Sequence, residues 1–125
     1  MSTILILEDD MKLLRLYTKA TENAGHTVIS VSSLKGALTA MNYRMVDLCI
    51  SDIRLDDAEP DVVLKRMARA QKRQNIPVIM ISAHMDLYLH KCHDLGLERT
   101  LQKPFSHRDL TAMIVEILGE DSDDT

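Results

Sequence analysis

Aromatic side chains are nearly missing from this chain: Tyr17, Tyr43, Tyr88 and Phe105 are all it has, with no tryptophan. So few rings leave nothing from which to build a stacking platform for bases or sugars. Cysteine is as scarce. Cys49 and Cys92 are too few and too poorly spaced for a disulfide framework, which points to a reducing compartment. No apolar run approaches the roughly 20 residues that a membrane-spanning helix needs. Met1 and Ser2 leave no room for a signal peptide before the first apolar run. Excess positive charge is also lacking: the net charge is -4, so nonspecific nucleic-acid binding has no electrostatic motive. The expectation is a cytoplasmic chain, without membrane or direct nucleic-acid partners, whose 125 residues suit one domain.

What is present is an alternation of two periods. Strand-length apolar runs occupy 3–7, 27–31, 46–51, 77–81 and 99–102. The first, third and fourth are nearly continuous in Val, Ile, Leu and Met, as in strands covered on both faces. Between and after them, helical spacing predicts helices over 11–24, 34–42, 60–74, 84–95 and 106–118. In the first helix Leu13, Leu16, Tyr17, Ala20 and Ala24 make one apolar stripe, and Gly25 ends it. In the last, Leu110, Met113, Ile114, Ile117 and Leu118 do the same. Ser106 with Asp109 resembles a capping box there, and Gly119 is the stop. Pro60 suits the first turn of the third helix. Five strand–helix repeats predict a single α/β domain: a doubly wound, five-stranded parallel sheet.

Chemistry gathers where the strands stop. The first run breaks into Glu8-Asp9-Asp10, the third into Asp52, the fourth into Ser82-Ala83 and the fifth into Lys103-Pro104. In parallel strands these ends share one edge, the edge where open α/β sheets place ligands. Carboxylates, a hydroxyl and an ammonium together suit a divalent cation and a phosphoryl group. Acids at the first helix N-terminus could simply cap it, but capping needs one acid, not three with a distant Asp52. Ser82 could cap the fourth helix while also serving the site.

These motifs, in this order over Thr3 to about Leu118, resemble the receiver domain of two-component response regulators. The resemblance implies a CheY-like, flavodoxin-like (βα)5 fold over 1–119, with 120–125 an acidic tail or the start of a linker. It implies that Asp52 is the phosphoacceptor, attacking a phosphohistidine of a sensor histidine kinase or phosphotransfer protein. It implies Mg²⁺ (or Mn²⁺) held by Glu8, Asp9, Asp52 and the backbone carbonyl of Arg54. Ser82, Ala83 and Lys103 would contact the phosphoryl oxygens, and Pro104 would follow a cis bond. An output domain or target protein would read the surface of helix four, strand five and helix five. No separate substrate turnover is expected. The chemistry agrees: Mg²⁺ takes about six oxygen ligands, and a carboxylate nucleophile needs no base near neutral pH.

Two positions depart from the family pattern. Asp56 and Pro60 stand where proline and glycine are usual after the phosphoacceptor, and Thr100 stands where an aromatic is common. Other readings remain open at this level. One is a phosphorylation-independent docking module. Another is a Mg²⁺-dependent phosphohydrolase, disfavoured because Arg54, not a second acid, stands two residues after Asp52. His90 and His93 share a helix face, but two ligands fall short of a structural zinc set. His84 lies at the rim of the site. Lys65, Arg66, Arg69, Lys72 and Arg73 make a basic stripe, in the plainer reading a solvated face. Met11 and Leu14 lie off the first helix's stripe, and by the resemblance they are exposed for kinase docking; ordinary flanking contact is the alternative.

Overall fold

The computed structural model describes residues 2–119. The acidic segment at 120–125 lies outside the described residues. Five strands, β1 (Thr3–Leu7), β2 (Thr27–Val31), β3 (Leu48–Asp52), β4 (Val78–Ser82) and β5 (Arg99–Gln102), form one parallel sheet in the order β2-β1-β3-β4-β5. The helices are α1 (Met11–Asn23), α2 (Leu34–Tyr43), α3 (Pro60–Gln74), α4 (Leu89–Asp94) and α5 (His107–Leu118). Among the described residues no helix is long and apolar enough to cross a membrane.

The period-two alternation of each central strand divides the core into two layers. Ile4, Ile6, Leu48, Ile50, Ile79 and Ile81 pack with Leu14, Tyr17, Leu110 and Ile114 of α1 and α5. Leu5, Leu7, Cys49, Val78 and Met80 pack on the other face, against α2, α3 and α4. Both faces of β1, β3 and β4 are therefore covered, which is why their sequences read as continuous apolar runs. The ladder then aligns their ends. Leu7 stands opposite Ser51, Asp52 opposite Ile81 and Ser82 opposite Gln102. Glu8 N–H donates to the Val31 carbonyl at 3.1 Å, and Lys103 N–H to that of Ser82 at 2.8 Å. Asp52 and Ser82 are thus the last residues of their strands, where the sequence places each just beyond.

Three expectations need correction. In α1 the buried residues are Leu14, Tyr17 and Thr21, while Leu16 is 60% exposed and Ala24 lies on the surface. An apolar count misses this stripe because Thr21 belongs to it. Tyr17 fixes the phase by stacking on Phe105, with ring centroids 5.1 Å apart. Leu14 is consequently core, not a docking residue; Met11, at 51% exposure, remains on the surface. The segment predicted as one helix over 84–95 is a 3₁₀ turn at Met85–Leu87, a junction at Tyr88, then α4. Side chains draw off the backbone there: His84 N–H donates to Ser82 Oγ and Met85 N–H to Gln102 Oε1.

The loop after β3 is anchored in an unforeseen way. The Asp57 carboxylate accepts the N–H groups of Leu34 at 3.0 Å and Lys35 at 3.2 Å, capping α2 from another part of the chain. These bonds, that from Leu34 foremost, hold its carboxyl below the usual range. Asp57→Ala is expected to cost about 1 kcal/mol, the usual worth of a cap. A folded pKa below the unfolded value means the stabilisation is present above about pH 4 and lost as pH falls through the folded pKa. Urea unfolding should show the full deficit at pH 7 and a smaller one at pH 3. Equal deficits at both would contradict the assignment.

Candidate functional site

The aligned strand ends gather Glu8, Asp9, Asp52 and Lys103, four of the foreseen side chains, in one place. Lys103 Nζ lies 2.6 Å from Glu8 Oε1 and 3.0 Å from Asp52 Oδ2. Glu8 is 1% exposed and Asp52 6%, so the ammonium reaches into a nearly dry corner. Asp52 Oδ1 accepts the Ile53 N–H at 2.8 Å, which orients the carboxylate. Asp9 turns toward the loop after β3 and accepts the Asp56 N–H at 2.9 Å. Glu8, Asp9 and Asp52 each offer one oxygen, all within 4.8 Å of one another.

The acidic run divides its labour. Asp10 caps α1 through the Lys12 and Leu13 N–H groups, as the plainer reading had it, while Glu8 and Asp9 face the site. Ser82, 1% exposed, lies one strand over; its Oγ accepts the His84 N–H at 2.9 Å, which leaves its hydroxyl proton free to donate. Ala83 is exposed at the turn, and its carbonyl accepts from Gln102 Nε2 at 2.8 Å. Arg54 is exposed, and its Nε donates to the Tyr88 hydroxyl at 3.0 Å, tying the loop after β3 to the start of α4. The Lys103–Pro104 bond is cis. His90 and His93 take no part. They face Asp94 at 3.3 Å and Glu98 at 3.4 Å, and Cys92 is buried.

Burial first, and crowding of like charges second, show in the titration behaviour. Burial pushes the Glu8 carboxyl up to about 7; the hydrogen bond from Lys103 opposes this and the neighbouring Asp52 reinforces it. Asp9 is raised by burial, against the bond from the Asp56 N–H. For Lys103, burial pulls downward but the bond to Glu8 and the charge of Asp52 outweigh it, so it is raised. Three carboxylates around one ammonium leave unmatched negative charge. At about 4 Å, two such charges repel by roughly 4 kcal/mol at an effective dielectric near 20. An all-oxygen, carboxylate-rich donor set of this kind fits Mg²⁺ or Mn²⁺ and not a soft metal.

Gln102 escaped the sequence reading. Its amide bonds the Ala83 and Lys103 carbonyls and the Met85 N–H, joining the loop after β4 to the end of β5. So did the Arg54–Tyr88 bond and the Asp57 cap. No local pattern marks any of them, because each partner lies on another element.

Known proteins carry the same arrangement of chain. Residues 4–115 match the profile of the family described as the response regulator receiver domain. The chain is 32% identical over 121 residues to a transcriptional regulatory protein of Haemophilus influenzae, the CpxR homolog, covering 94% of this chain and 51% of that one. It is 34% identical over 82 residues to the transcriptional regulatory protein GlrR of Escherichia coli, covering 65% of this chain and 18% of that one. The chain thus spans about half or less of the length of these relatives. Its fold superposes on a CheY-like receiver domain protein of Methanospirillum hungatei with a TM-score of 0.85 at 26% identity, covering 95% and 94% of the two chains.

Proposed function

The chain belongs to the response regulator receiver domain family, and on that premise we propose that Asp52 takes a phosphoryl group from a histidine kinase or phosphotransfer protein. One observation supports this above the others: the Lys103 ammonium bridges Asp52 and Glu8 beside Asp9, at the carboxyl edge of the sheet. An Asp52 carboxylate oxygen attacks phosphorus, an O–P bond forms, the N–P bond of the phosphohistidine breaks, and imidazole leaves. Lys103 pairs with a phosphoryl oxygen, Ser82 donates its hydroxyl to another, and the Ala83 N–H lies beside them. Such preplaced donors stabilise charge that grows during transfer. Glu8, Asp9, Asp52 and the Arg54 carbonyl would hold Mg²⁺ or Mn²⁺, which when bound neutralises the carboxylates and the incoming phosphoryl group.

Phosphoaspartate brings up to about two negative charges and new acceptor oxygens. Lys103 and Ser82 are then drawn inward, together with the Gln102-linked loop and the turn that leads to α4. The surface proposed to be read comprises α4, β5 and α5, where Leu89 and Val115 are 50% and 48% exposed, with Leu87 of the preceding 3₁₀ turn 63% exposed. Its reader is an output domain or a target protein, and the whole exchange takes place in the cytoplasm.

Incubation with acetyl phosphate and Mg²⁺, followed by intact-mass measurement, should show a gain of one phosphoryl group. No gain under these conditions contradicts the proposal. Mg²⁺ alone should raise the melting temperature, by about 10 °C at a hundredfold excess over Kd. Asp9→Asn should remove most of that rise. A melting temperature indifferent to Mg²⁺ would count against the carboxylates as a cation site.

A further inference from the structure

Helix α3 carries a charge pattern that the phosphoryl site does not use. Together α2 and α3 hold six lysines and arginines and a single acid, Asp61, in a chain of net charge -4. Asp61 already pairs with Lys91 at 3.0 Å. Lys65, Arg66, Arg69, Lys72 and Arg73 are all exposed and none forms a salt bridge among the described residues, Lys65 alone sensing the charge of Asp61 one turn earlier. Attraction to the helix C-terminus accounts for Lys72 and Arg73, which occupy the last turn. It does not account for Arg66 and Arg69, which lie in mid-helix where that attraction has faded.

Three of these cations line one groove. Arg66, Arg69 and Arg73 share a helical face turned toward α2, and with Leu38, Met41 and Ala70 they border a cavity of about 200 Å³. The two lysines do not line it. Arginine's planar fork pairs with a carboxylate through two parallel bonds, which a lysine cannot do. The groove ends where Gln74 Nε2 donates to Asn42 Oδ1 at 3.1 Å. Directly after Asn42, Tyr43 and Met45 stand 83% and 87% exposed, the most exposed large apolar residues among those described. Cations above an apolar floor, with apolar side chains at one end, define a complementary shape: acidic and partly apolar.

We propose that the α2–α3 groove docks an acidic segment of a partner protein. Its carboxylates meet the three arginines, and its apolar side chains rest on Leu38 and against Tyr43 and Met45. A nucleic-acid backbone would satisfy the arginines but has nothing to set against the apolar parts. A long polyanion would also run into Asp57, which borders the groove's continuation past Leu38. A short acidic segment stops before it. Docking here needs no phosphoryl group on Asp52, so its failure would leave the phosphoryl reading untouched.

The test is a titration of the isotope-labelled full chain with a synthetic helical peptide as long as α3, glutamate-rich with leucines along one face. Amide shifts should be confined to α2, α3 and the Tyr43–Met45 turn. The double variant Arg66→Gln, Arg69→Gln, at exposed positions, should keep its melting temperature and bind roughly tenfold more weakly. A peptide with serines in place of the leucines should also bind more weakly. Shifts that are absent or scattered over the other helices overturn the proposal. So does undiminished binding by the double variant, or equally tight binding of a DNA duplex of matching length.

Discussion

Asp52→Asn is expected to abolish phosphoryl uptake while leaving the fold intact. An amide oxygen is too weak a nucleophile to displace imidazole or acetate from phosphorus, so the loss should be complete rather than partial. Unfolding cannot account for it. The asparagine oxygen can still accept the Ile53 N–H, bonded at 2.8 Å in the parent chain. Lys103 keeps its contact with Glu8 at 2.6 Å. The variant forfeits one ion pair but relieves repulsion among three carboxylates whose oxygens lie within 4.8 Å of one another. These effects oppose each other, and the stability change without divalent cations should stay within about 1 kcal/mol. Acetyl phosphate labelling beside calorimetry checks both halves. Undiminished labelling in the variant would refute Asp52 as the acceptor.

Lys103→Met should damage both stability and transfer. Methionine preserves much of the aliphatic volume but removes the ammonium that sits within hydrogen-bonding distance of Glu8 and Asp52. Glu8, almost fully enclosed, then has no cation beside it among the described residues. Breaking a buried pair in this way costs about 3 kcal/mol at neutral pH. Uptake should slow by roughly 10²–10³, the usual effect of removing one preplaced donor from a developing anion. Added Mg²⁺ should recover part of the stability, since it supplies positive charge to the same carboxylates, yet not the rate. Denaturant titration and labelling kinetics, each with and without Mg²⁺, separate the two effects. A variant that labels at the parent rate would show that Lys103 has no part in transfer.

The sequence disclosed what rests on local pattern and strand ends. β1, β3 and β4 were readable because both of their faces are buried, so each runs apolar until the polar residues at its end. The α3 limits, Pro60–Gln74, were readable because proline opens the helix and cations close it. The capping box of Ser106 and Asp109 forms as its spacing implies. Glu8, Asp9, Asp52 and Lys103 were legible as a set because parallel pairing gathers strand ends whatever their separation in the chain. What escaped depends on partners the pattern does not contain. The α1 stripe was misjudged because its burial includes Thr21 and its phase is set by Tyr17 stacking on Phe105. The segment expected as one helix over 84–95 opens instead as a 3₁₀ turn, Met85–Leu87, whose first N–H is taken by Gln102, 17 residues after Met85. Asp57 caps a helix that begins 23 residues earlier, and Arg54 bonds a tyrosine 34 residues later. Such ties follow from the finished fold and not from its periodicities.

Hydride trapping offers the most direct test of a single reactive carboxylate gathered from separate strands. Borohydride reduces an acyl phosphate to the alcohol with release of phosphate, leaving a permanent mark on the residue that carried it. After acetyl phosphate and Mg²⁺, peptide sequencing by mass spectrometry should find the reduced side chain at Asp52 and at no other acid. A mark on Asp9, Asp56 or any other carboxylate, or no mark at all in labelled protein, would contradict the account.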